Sequence, residues 1–122
     1  GLFSMATLSV TNLSSSGVAL TLASAAGGGD VFPNDGKTFF AITNASGGSI
    51  NVTFTAQTTS AEKQGMEDIT YTDKVVAVAN GATKLIGPFA TGTYNNSSGQ
   101  VAVSYSSATS VTVGAFRVNP KG

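Results

Sequence analysis

GGGDVFPNDGKTFF, residues 27–40, decides how the rest of this chain is read. Three glycines, two acids, a proline and then a dense apolar run lie side by side, so a polar excursion ends abruptly at a buried strand. The triglycine lowers strand propensity and Pro33 lacks the ladder donor, which predicts a loop over residues 23–36. Asn34-Asp35-Gly36 carries turn chemistry, with Gly36 free to take a positive φ, and hands the chain to a strand at Lys37. Phe32 is expected to tuck beneath the loop, and Pro33 to pin it.

Outward from this corner the pattern has period two. On the C-terminal side KTFFAITN (37–44) is the most apolar strand. SINVTFTAQ (49–57) follows a 45–48 turn with Ile50, Val52 and Phe54 on one face, and the two are expected to pair as the central hairpin. Residues 58–72 hold Glu62, Glu67 and Asp68, half of the acids, and predict an exposed loop with a short strand near Ile69 and Tyr71. Val75, Val76 and Val78 make a strand closed by the tight-turn pair Asn80-Gly81, and residues 83–86 return. Gly87-Pro88-Phe89 breaks the ladder, residues 94–99 form a loop tip, and Val101, Val103, Tyr105 and then Val111 to Val118 alternate as a last pair.

On the N-terminal side Leu8 and Val10 alternate with Thr7, Ser9 and Thr11. Val18, Leu20 and Leu22 repeat the alternation after a Ser-rich turn, predicting an edge hairpin. Gly1-Leu2-Phe3-Ser4, ahead of Met5, reads as a tag remnant, a native apolar arm being the alternative. The expected organisation is therefore residues 1–6 as remnant or arm, 7–118 as one domain and 119–122 as a tail. About eight strands without a helix longer than a turn predict an all-β fold, an antiparallel β-sandwich of jelly-roll type ahead of an immunoglobulin-like Greek key.

With 122 residues the chain suits a single core. Charged residues make up 10% of it, far below the roughly 25% of an ordinary globular protein. Six Lys or Arg balance six Asp or Glu, so a neutral Ser, Thr, Asn and Gly surface with little self-repulsion predicts association with a partner. The basic residues are scattered singly, which argues against nucleic acid. The apolar runs fall far short of the roughly 20 residues of a spanning helix and no leader pattern is read, so a membrane is not an expected partner. Cysteine and histidine are absent, removing thiolate chemistry and the commonest general base and metal ligand.

Three oxygen donors, Asp30, Asn34 and Asp35, crowd the opening stretch, and calcium accepts such ligands. Their spacing is not that of an EF-hand, and a cap at Asp30 with a turn at Asn34-Asp35-Gly36 accounts for them, so neither metal nor cofactor is expected. Glu67 and Asp68 point apart on an exposed loop and make a poor acid and base pair. Serines and threonines are too numerous to single out a nucleophile, and no enzymatic activity is expected. Asn44, Asn51 and Asn96 open Asn-x-Ser/Thr triplets that this composition produces by chance. Tyr94 beside Asn95 and Asn96 would suit a sugar-stacking platform, although a ring covering the end of the sandwich explains it as well.

The segments GDVFPNDGKTFF (29–40), INVT (50–53), IGPF (86–89) with Tyr94-Asn95, and the closing strands at 101–105 and 111–118 resemble, across residues 7–118, the small all-β head decoration or cement proteins of tailed bacteriophages. The resemblance implies a β-sandwich, commonly a homotrimer, made in the bacterial host cytoplasm. It would sit on the outer surface of the virion near three-fold or quasi-three-fold positions of the capsid, with the major capsid protein and itself as partners. It carries over no catalytic residue. Interaction loops are expected at Asp30, Phe32, Asn34, Asp35, Tyr94 and Asn95. The alternative is a receptor- or carbohydrate-binding module of a phage tail, collar or adhesin.

Overall fold

Two mixed sheets of five strands face each other as a sandwich in this computed structural model, which describes residues 6–19, 21–57, 60–61, 69–70 and 72–118. The strands are β1 (Ala6–Thr7), β2 (Val10–Leu13), β3 (Ala23–Ser24), β4 (Asp30–Pro33), β5 (Thr38–Asn44), β6 (Ile50–Phe54), β7 (Ser60–Ala61), β8 (Ile69–Thr70), β9 (Lys74–Val78) and β10 (Thr83–Ile86). One turn of helix, α1 (Thr91–Tyr94), precedes β11 (Gln100–Tyr105) and β12 (Val111–Val118). The first sheet runs β1-β4-β11-β6-β9 and the second β10-β5-β12-β2, with β3 also on β12; β7 and β8 pair with each other, apart from these sheets among the described residues. The expected arm or remnant before Met5, Leu20, the acids Glu62, Glu67 and Asp68, and the 119–122 tail lie outside the described residues.

The expected sandwich is present, but its neighbours in sequence are not its neighbours in space. β5 and β6, predicted as a hairpin, lie in different sheets, as do β9 and β10 and the closing pair β11 and β12. The connections at 45–49, 79–82 and 106–110 are long enough to cross the roughly 10 Å between packed sheets, and each strand then pairs with a partner distant in sequence. Period-two patterning says which side chains point inward and nothing about which strand stands alongside.

The N-terminal hairpin is likewise replaced. β1 pairs in parallel with β4, and β2 in parallel with β12, so the two short strands join opposite sheets and the fold is not purely antiparallel. β3 and β2 share one edge of β12, at Val113 to Thr112 and Ala115 to Val118 respectively. Between them the chain passes over Gly114, where a Cβ would lie 2.9 Å from Leu22 Cδ2 and 3.2 Å from Thr21 O. Only glycine lets the crossing segment lie that close.

The predicted loop over residues 23–36 also proves to be more than a loop. It contains β3 and β4, and β4 is flanked on both sides in the first sheet. Pro33 is tolerated for a local reason. The Asn34 amide donates to Gly99 O at 3.1 Å, so the alternation of an antiparallel ladder turns the Pro33 nitrogen away from β11. On its other side β1 reaches only Asp30 and Val31, leaving no ladder bond for proline to break.

Inward-facing residues of both sheets form one core. Phe32 and Phe54 from the first sheet, Phe40 from the second and Phe89 from the crossover are all fully buried. Their rings meet at 5.6 Å for Phe32 and Phe40, 5.4 Å for Phe40 and Phe54, and 4.7 Å for Phe54 and Phe89. Such contacts add to the burial of large apolar surface and dominate cores of this size. Among the described residues no helix is long and apolar enough to cross a membrane.

Candidate functional site

The corner that follows β4 closes one end of the sandwich. Asn34 is buried, and every polar atom of its side chain is engaged. Its Nδ2 donates to Phe89 O at 3.0 Å and to Asn95 Oδ1 at 2.8 Å, while its Oδ1 accepts the Gly36 amide at 3.0 Å. Asn95 returns a bond from Nδ2 to Asn34 O at 2.8 Å. Two amides therefore lock the corner to the crossover before β11, and neither has an oxygen turned toward a ligand.

Asp35 is exposed beside them. Its Oδ1 accepts the Lys37 amide at 3.0 Å, an Asx turn, and its Oδ2 pairs with Arg117 Nε from β12. Partial burial opposes its ionisation, but the Arg117 hydrogen bond, the Lys37 amide and the Arg117 charge outweigh it and hold the carboxyl below its usual range. Arg117, Asp35 and Asn34, with Val10, Pro33, Thr38 and Gly99, line a shallow groove of about 210 Å³.

The other expected interaction residues divide sharply. Tyr94 is half-buried and meets the Phe89 ring edge-on at 5.6 Å, so it covers the end of the core. Phe32, expected as an interaction-loop residue, is inaccessible in the core, because it lies within β4 and faces inward. Asp30 is inaccessible too and stands at the far end of β4, about 10 Å along the strand from Pro33. The three oxygen donors considered for calcium are thus not gathered, and no group of three Asp, Glu, His or Cys side chains suited to a metal occurs among the described residues.

Asp30 has its own environment. Its Oδ2 accepts the Tyr105 hydroxyl at 2.5 Å and the Ala26 amide at 3.3 Å, and its Oδ1 is buried with no hydrogen-bond partner among the described residues. Burial, and then the hydrogen bond to Asp30 and its charge, push the Tyr105 hydroxyl far above its ordinary pKa. The pair anchors the triglycine turn over the sandwich end opposite Asn34.

Three participants escaped the sequence reading. Asn44, treated only as a chance triplet, is fully buried at the end of β5. It donates from Nδ2 to Gly48 O at 2.8 Å and Val78 O at 2.9 Å, and accepts the Ser46 amide at 2.9 Å. Arg117 carries no motif, and in the sequence Tyr105 is only the last residue of the alternation Val101, Val103, Tyr105. Ser60-Ala61-Glu62-Lys63 has the Ser-x-x-Lys spacing of a serine nucleophile with a lysine base, but Lys63 lies outside the described residues. No family model, curated protein or solved structure matches this chain.

Proposed function

We propose that this chain is a non-enzymatic virion structural protein, a decoration protein that binds the outside of a phage head and bridges neighbouring capsid subunits to stabilise it. The observation that carries the reading is how the polar groups of the most distinctive loop are used. Asn34, Asn95 and Asp35 are engaged with one another, with backbone or with Arg117. What the polar, nearly uncharged surface offers instead includes two exposed aliphatic side chains, Val75 at 58% and Leu85 at 60%, on the outermost strands of the two sheets. Such a surface suits many modest protein contacts, and interfaces of roughly 1,600 Å² assembled from them are ordinary. The resemblance of residues 29–40 and 86–95 to phage cement proteins supplies the partner, the major capsid protein, and the homotrimer.

A sugar-binding module is the weaker alternative, because its stacking ring would be Tyr94, which instead leans on Phe89. The test is to mix the purified protein with heads lacking decoration. Co-sedimentation with the heads and a raised rupture temperature are expected. Absence of both overturns the proposal.

A further inference from the structure

Among the described residues, the two outermost strands on one side of the sandwich, β9 and β10, each pair with a single neighbour. Which of their backbone groups are free follows from the ladder. The Ser106 amide donates to Asn51 O at 2.9 Å and the Thr55 amide to Ala102 O at 3.0 Å, so Asn51, Thr53 and Thr55 hydrogen-bond toward β11. Their cross-strand partners on β9, Ala77 and Val75, are therefore non-hydrogen-bonded with β6 and direct N–H and C=O outward. One of these acceptors is occupied: Lys84 Nζ, from β10 in the opposite sheet, donates to Ala77 O at 2.9 Å. Among the described residues, the outward groups of β9 that remain are the Val75 N–H and C=O and the Ala77 N–H.

From this geometry we infer that the outer edge of β9 is an acceptor site for an extended segment of a partner protein that alternates aliphatic and acidic side chains. The outward ladder groups select an extended backbone, as in other strand-addition modes. On the outer face the segment's side chains stand beside exposed Val75 and Ala77, which favours aliphatic residues. On the inner face they meet Lys84, which spans the open side between the sheets, and a carboxylate there draws the ammonium off Ala77 O and frees that acceptor. Lys74 and Lys84 are the only charged residues within β9 and β10. Two copies meeting edge to edge would bring these lysines together, so a second copy is disfavoured and an acidic segment is favoured. Unliganded, Lys84 acts as the charged guard that keeps a bare edge from pairing indiscriminately. The site stands whether or not the chain decorates a capsid.

The probe is a blocked peptide alternating Val and Glu, with a Val and Lys peptide as control, followed by amide hydrogen exchange and titration on the full chain. Slowed exchange at Val75 and Ala77 with the Glu peptide alone is expected. Lys84→Glu should reverse the preference, weakening the Glu peptide about tenfold and admitting the Lys peptide. Val75→Pro deletes an outward N–H without removing a native ladder bond, and should weaken the Glu peptide about fivefold. Far-ultraviolet circular dichroism of both variants establishes that they remain folded. Equal binding of the two peptides, unchanged exchange at Val75 and Ala77, or an oligomer of the unmodified chain that Val75→Pro dissociates would each overturn the proposal, the last by making a second copy the occupant.

Discussion

Asn44 does more for this fold than its place in a Ser- and Asn-rich sequence suggests. Its side chain joins the 45–49 turn to Val78 at the end of β9, so one amide ties a strand of the second sheet to a strand of the first. Asn44→Ala is expected to cost about 1–3 kcal/mol in urea unfolding, because buried Val78 O and the half-buried Ser46 amide each lose a partner. Neighbouring triplets of similar composition were indistinguishable in sequence, since burial is what gives the amide its weight. Tyr105 makes a second residue-scale prediction. Its hydroxyl pKa is raised in the folded protein, so the contribution to stability is complete below the ordinary tyrosine value of about 10 and is lost as pH rises beyond it, where the unfolded chain alone ionises. Unfolding midpoints measured across that range should fall, and Tyr105→Phe should flatten the part of the fall due to this residue.

At the scale of elements, the strands were legible and their partners were not. Alternation marked β5, β6, β9, β11 and β12 close to their observed bounds, because a strand with one buried face must repeat every two residues. β4 was missed because the triglycine and Pro33 argue locally against a strand, while burial of Phe32 and a ladder that needs nothing from Pro33 outweigh them. The crossing at Gly114 is another element-level contact. Gly114→Ala should destabilise by about 1–3 kcal/mol, since Leu22 and the Thr21 carbonyl must both move; a thermal melt unchanged by the substitution would contradict this packing. The ion pair of Asp35 and Arg117 fastens the corner to β12. Asp35 has a lowered pKa, so its contribution is present above the ordinary carboxylate value and is lost as pH falls through the folded one. Both side chains are over one-third exposed, at 43% and 35%, so a double-mutant cycle at neutral pH should give below about 1 kcal/mol, shrinking with added salt.

For the whole molecule, the proposed homotrimer predicts a solution mass near three times the 12.1 kDa of the chain by sedimentation equilibrium; a concentration-independent monomer would remove the trimer from the proposal. The all-β class, the inward phenylalanines and the scarcity of charge are legible in the residues alone, because strand period and composition are local properties that every arrangement of the strands must satisfy. The stretch at residues 27–40 also announced a corner, and Asn34-Asp35-Gly36 is one. Only the assembled fold shows that this corner leads from one sheet to the other, that β1 and β2 pair in parallel with distant strands, and that Asp30 is enclosed while Val75 and Leu85 are exposed. The physical reason is that pairing between strands far apart in sequence is set by how two sheets cover each other's apolar faces, a condition on the assembled chain that no single segment carries.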